Sequence, residues 1–165
     1  MSPSASMQFR IDFSGEANLI RHLDSLKTKT RSRIIGQALR AAWRPMLFAA
    51  KANARRIKDT GLLAKSIGVT PKTYRVSGVF VGIIGPRKGF KQLIGENKRP
   101  RDPRLYAHLV EFGTKPHMIK NTRHPGAKAK PFMRPAFDKH SRGALRLFRR
   151  KAWEQIAKQV RRKAS

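Results

Sequence analysis

Four side chains able to do chemistry stand close together in the sequence: His108, Glu111, His117 and His124. On a helix, residues three apart such as His108 and Glu111 share a face, and imidazoles with a carboxylate form a donor set that Zn2+ accepts. The spacing fits no closed zinc motif, and the surrounding Lys and Arg would repel a divalent cation. Polar groups on a helix surface or an interface are therefore the better reading, and neither metal nor cofactor is expected. General acid–base and two-metal chemistry want clustered carboxylates. Here 9 Asp and Glu are scattered over 165 residues, and Glu111 has no acidic neighbour within eight positions on either side. A G-x-S-x-G nucleophile elbow is absent. The stretch Gly-Pro-Arg-Lys-Gly at 85–89 lacks the G-x-x-x-x-G-K-[ST] pattern that cradles phosphates. An enzyme, a metal-dependent nuclease included, is not expected.

What the chain has in excess is positive charge: 38 Lys and Arg against 9 acids, a formal net charge of +29. Such an imbalance implies anionic partners and says nothing about fold. No zinc finger, RRM or KH signature is visible, and aromatic residues are sparse in the basic stretches. Sequence-specific readout is not expected on that ground, while non-specific contact with phosphates stays open. The residues expected to face DNA are Arg87, Lys88, Lys91, Lys98, Arg99, Arg101, Lys128 and Lys130. The absence of Cys rules out disulfides and thiolate metal sites. No apolar run is long enough to span a membrane, and the opening MSPSASMQF is not a secretory signal. A cytoplasmic protein with no membrane partner is expected.

The elements that must position these residues can be read from periodicity. Residues 1–6 read as a frayed tail. Met7, Phe9, Ile11 and Phe13 alternate with polar residues and predict a half-buried strand. A short helix over 17–26 follows, with Leu19, Ile20, Leu23 and Leu26 on one side. From about Thr30, apolar residues from Ile34 to Ile57 return every three or four positions, which predicts a long helix bent at Pro45 and ended by Asp59-Thr60-Gly61. Strands are expected over 66–70 and 74–84, with Gly78 and Gly82 marking a bulge or a close backbone approach. Residues 85–104 show no apolar period and read as a mobile basic arm. A short helix over 105–112 ends at Gly113, and 116–131 reads as a second basic loop. The last helix should begin at Pro135, with Leu145, Phe148, Ala152, Ile156 and Val160 as its apolar stripe. The whole is expected to be one α+β domain, 1–165, in which two main helices pack on a small antiparallel sheet.

Three fragments carry a resemblance. They are Ala49-Ala50-Lys51-Ala52-Asn53-Ala54, then Asp59-Thr60-Gly61-Leu62-Leu63-Ala64-Lys65-Ser66-Ile67, then Tyr106-Ala107-His108-Leu109-Val110-Glu111-Phe112-Gly113-Thr114 followed by Pro131-Phe132-Met133-Arg134-Pro135-Ala136-Phe137. In that order, over residues 35 to 137, they resemble the neck or tail-completion proteins of long-tailed bacteriophages, the family named for gene product ten of a lambda-like coliphage. The 85–104 segment and the basic C-terminal helix are longer than the family pattern. The resemblance implies a virion protein, assembled in a bacterial cytoplasm, of which six copies form a ring between head connector and tail. Its partners would be other copies of itself, the head connector, the tail terminator and tube proteins, and DNA through non-specific contact. It also implies a subunit interface at Tyr106, Glu111, Phe112, Gly113, Thr114, Pro131, Phe132, Arg134 and Pro135, with Glu111 pairing an Arg or Lys.

Two alternatives stay open. Phe132 and Phe137 could fill the monomer's own core, and the chain could be a basic nucleic-acid-binding protein of ribosomal or chromatin type. DNA in a channel would not account for the charge. A domain of this length is ~40 Å thick, and roughly 24 phosphates would pass it. Six copies at +29 carry far more charge than that. The remainder must meet acidic neighbours, counterions or solvent.

Overall fold

The computed structural model describes residues 17–57, 60–74, 79–90, 92–94, 99–119 and 121–164. The tail, the strand expected over 7–13, Asp59 and Gly78 lie outside these residues. The described chain is an α+β fold of five helices and three two-stranded antiparallel pairs. Helix α1, Ala17–Asp24, lays Leu19 and Leu23 into the core, while Ile20, expected beside them, is exposed. Helix α2, Thr28–Arg55, is the centre of the molecule. Its 28 residues make a rod about 42 Å long. It runs unbroken past Pro45, as one helix rather than two, although Pro45 cannot donate the amide hydrogen bond that an interior residue normally makes.

Helix α2 packs against both the first sheet and the last helix. Helix α3, Leu62–Ser66, leads directly into β1, Ile67–Tyr74, which pairs with β2, Val79–Pro86. The sequence reading began the strand at Ser66. That residue instead closes the α3 turn, its hydroxyl donating to the Leu63 carbonyl at 2.7 Å. Tyr74 belongs to β1, which is therefore longer than expected, whereas β2 begins at Val79 rather than Tyr74 and runs on to Pro86. Their register runs without a bulge from Ile67 opposite Pro86 to Tyr74 opposite Val79. Of the two readings of Gly82, close approach is therefore the one observed. A Cβ at this position would stand 3.0 Å from Nε1 and 3.2 Å from Cε2 of the buried Trp43 of α2.

The described residues of 85–104 are not the mobile arm that their composition suggests. After a turn at 87–90, β3, Gln92–Ile94, pairs with β4, Arg99–Arg101. Helix α4, Pro103–Phe112, begins two residues earlier than expected. The second basic loop holds a further pair, β5, His117–Ile119, against β6, Thr122–His124. Backbone pairing satisfies the amides and carbonyls of these polar stretches whatever their side chains, and apolar periodicity cannot reveal it.

Helix α5, Arg134–Ala164, starts one residue before the expected Pro135, still within the first turn where proline costs no hydrogen bond. It packs chiefly along α2, rather than on the sheet. Phe148, Ala152 and Ile156 of its expected stripe are buried, whereas Leu145 is half-buried and Val160 exposed. A single buried cluster runs from Leu19 and Leu23 through Ile34, Leu39 and Met46 to Phe132, Met133 and Ile156. The close seat of the sheet on Trp43 gives a first test. Gly82→Ala is expected to lower stability by about 1–3 kcal/mol and to shift tryptophan emission, both read in one thermal melt followed by fluorescence. An unchanged melt and spectrum would show that the sheet is not packed tightly on α2.

Candidate functional site

The site is built where the end of α4 meets the start of α5. Asp102 opens α4 as its N-cap. It accepts from the Arg104 amide at 3.0 Å, with Pro103 as the first helical residue. An Asp-Pro pair in this position is a sequence-level start signal; it stood inside the stretch read as a loop and was missed. The Arg104 guanidinium returns to the same carboxylate at 2.8 Å, and Asp102 is buried. At the other end Gly113 adopts φ 71°, and a Cβ there would lie 2.5 Å from the Ala127 oxygen and 2.7 Å from the Ala129 nitrogen. Only glycine lets the chain turn out of the helix so close to a returning strand. Thr114 and Ala127 then exchange two backbone hydrogen bonds, of 2.9 and 3.1 Å.

Glu111 lies in the last turn of α4 and is 2% exposed. A carboxylate there is disfavoured by its own helix, whose C-terminal end carries partial negative charge. Its oxygens reach the start of α5 instead. Oε2 accepts from the amides of Phe132 at 2.7 Å and Met133 at 2.9 Å, and Oε1 accepts from the amide of Arg134 at 2.8 Å. Met133 is the residue just before α5, its carbonyl accepting the first helical bond from Phe137, and a methionine side chain cannot cap the free amides that follow. Glu111 supplies an acceptor from another helix to the two amides that lead into α5 and to its first, Arg134, at the end where partial positive charge favours an anion. In return, the Lys130 amide donates at 2.8 Å to the Val110 carbonyl in the last turn of α4. Asn53 of α2 fixes the same segment by donating from Nδ2 to the Phe132 carbonyl at 3.1 Å.

This geometry corrects one expectation directly. Glu111 was to pair with an Arg or Lys, but its partners are three backbone amides, and no cation pairs with it among the described residues. The zinc reading loses its carboxylate for the same reason, because both oxygens are occupied. His117 and His124 face each other across the β5–β6 pair with ring centroids 5.0 Å apart. Among the described residues no three His, Asp or Glu converge on one point, and no helix is long and apolar enough to cross a membrane. Phe132 is fully buried, with Met133 beside it, so these side chains belong to the core of the monomer, the alternative left open by the sequence. Of the other residues assigned to an interface, Phe112, Pro131, Arg134 and Pro135 are exposed, and Tyr106, Gly113 and Thr114 are half-buried. An open groove beside the clamp is lined by Asn53, Arg56, Ile57, Lys130, Pro131 and Pro135.

The residues expected to face DNA are distributed over separate segments. Arg87 and Lys88 are exposed at the turn after β2, with the Arg87 guanidinium 4.9 Å from the centroid of Phe90. Arg99 and Arg101 lie on β4, and Arg101 stacks 5.5 Å from the Tyr106 ring centroid. Lys128 and Lys130 are exposed between the Thr114–Ala127 bridge and Phe132. Lys91 and Lys98 lie outside the described residues. The Glu111 clamp has a measurable consequence. Glu111→Gln keeps the shape but turns an amide NH2 toward backbone donors, and is expected to cost about 2–4 kcal/mol, or roughly 5–15 °C in Tm. Phe132→Ala is expected to cost about 3–5 kcal/mol. Thermal melts that match the unsubstituted protein would overturn the clamp.

Against family models, residues 17–113 match the family described as "Bacteriophage HK97-gp10, putative tail-component". No curated protein and no solved structure gives a match. The matched stretch covers more than half the chain, from the first residue of α1 to the glycine that ends α4. It includes Asn53 and Glu111, while the amides that Glu111 holds lie beyond it. The chain belongs to the HK97-gp10-like family of bacteriophage tail components.

Proposed function

We propose that this tail component is a ring subunit, six to a ring, that completes the phage tail and joins it to the head connector. Family membership carries the reading, and the Glu111 clamp gives it a physical basis. A joint that transmits fixed geometry between neighbours needs a rigid frame, because ordering loops on contact costs free energy of association. Here the ends of α4 and α5, the Lys130 amide and Asn53 are locked together before any partner arrives. Phe112, Pro131, Arg134 and Pro135 surround that frame on the outside and are the residues of the motif that remain for contact between subunits. The chemistry is structural rather than catalytic. The protein works in the virion, after assembly in the host cytoplasm.

A phage lacking this protein is expected to make tails and filled heads that do not join, and the chain supplied in trans should restore joined particles that contain it. Joined, infectious particles formed without it would overturn the reading. Self-repulsion at +29 per copy makes the isolated chain monomeric or weakly associated at physiological salt. Light scattering should show that, and a stable hexamer of the protein alone would contradict it.

A second reading, non-specific binding of nucleic acid, is favoured by one observation on α5. Arg142, Arg146 and Arg150 are exposed at successive i, i+4 positions, about 6 Å apart along the axis. Like charges at this spacing cost an isolated helix roughly 0.2–0.5 kcal/mol per pair, and among the described residues Arg150 alone of the three has a carboxylate within 4.0 Å, Glu154 at 3.8 Å. A phosphate backbone would relieve that repulsion. Six or more phosphate contacts would make affinity fall by ~10³ or more between 50 and 200 mM salt. Replacing the three arginines by glutamine should flatten the salt slope by roughly 3. An unchanged slope, or preference for one oligonucleotide over scrambled controls, would remove this ladder from any DNA contact.

A further inference from the structure

Helix α4 is apolar on both sides. Pro103, Ala107 and Glu111 face inward and are buried. On the opposite side Leu105, Leu109 and Phe112, at i, i+4 and i+7, are 66, 41 and 59% exposed. A surface helix normally turns charged and polar residues outward. This one carries a single Lys or Arg, Arg104, and that is paired with Asp102 at 2.8 Å. By contrast α2 carries seven Lys and Arg and no acid, and α5 carries eleven against two acids. Three large apolar side chains in one line, on a helix whose one Lys or Arg is already paired, are a contact face with no partner among the described residues.

We infer that the Leu105, Leu109 and Phe112 face of α4 is the surface on which a second copy of this chain docks. Charge decides the occupant. An acidic partner is drawn to the cationic faces of α2 and α5 and gains little from α4. A second copy, also at +29, is repelled from those faces and can approach closely only where cations are absent or already paired. The α4 face meets that condition. It is also presented rigidly, because Asp102 caps the start of the helix and Glu111 ties its last turn to α5. Docking therefore orders little that is not already ordered. The inference rests on the ring reading above and names the face through which copies would meet.

Salt separates this contact from a phosphate contact. Raising ionic strength from physiological to 1 M shortens the Debye length from ~8 to ~3 Å, which weakens repulsion between copies and leaves apolar contact intact. Sedimentation of the full chain is expected to show a monomer at physiological salt and at least a twofold rise in average mass at 1 M. Leu105→Gln combined with Leu109→Gln should abolish that rise. Both positions are exposed, so the Tm should stay within about 3 °C, as surface changes usually allow. The chain has no Cys, so Leu109→Cys offers one labelling position, and a polarity-sensitive dye there should shift to the blue on association. If the double variant associates as the unsubstituted chain does, the α4 face is wrong while the ring reading stands. A chain that stays monomeric at 1 M salt, with an unshifted dye, overturns self-docking outright. The head-to-tail joining assay then reports independently on the ring reading.

Discussion

Three backbone amides converge on one buried carboxylate, and the arrangement of the second half of the molecule follows from that contact. Glu111 is placed where its own helix disfavours it and where the next long helix needs it. The amides of Phe132, Met133 and Arg134 have no side chain of their own to cap them, since the residue before α5 is a methionine. If the carboxylate were absent, these amides would be enclosed without an acceptor, at a cost comparable to a large part of the stability of a small domain. With it present, Phe132 and Met133 can enter the core from a polar, proline-flanked loop, and α5 starts at a fixed point beside α2.

The same contact orders the basic loop between the two helices. That loop leaves α4 through a left-handed glycine and returns to donate from Lys130 to Val110, three residues before that glycine. Its lysines and histidines consequently hang from a closed, hydrogen-bonded loop rather than from a free arm. The two acids buried among the described residues, Asp102 and Glu111, both act as helix caps. In a chain with so few carboxylates, these two are used to fix the ends of α4 and α5 and leave the surface overwhelmingly cationic.

That surface governs how the protein can meet others. Cations on the outer faces of α2 and α5 repel further copies and attract anions, whereas α4 presents leucine and phenylalanine. A surface divided between cationic and apolar faces allows two kinds of contact to use different physics. Screening by salt weakens the first and spares the second.

The α+β class, the long helix through Pro45, the apolar stripe of α5 around Phe148 and Ile156, and the glycine that ends α4 were legible in the sequence. Each rests on local periodicity or on the conformational freedom of one residue type, and both are properties of a few neighbouring positions. The family pattern was legible as well. The pairing of β3 with β4 and of β5 with β6 was not, because backbone hydrogen bonds leave no apolar signature in polar segments. Gly82 announced a close approach, but only the folded chain shows that Trp43 is what approaches. The role of Glu111 was the least legible feature. A lone acid among cations reads in one dimension as half of an ion pair, and its Coulombic neighbours are all that sequence displays. Tertiary structure decided otherwise, because burial removed the carboxylate from solvent and the free amides of a helix start more than twenty residues away lay within hydrogen-bonding distance.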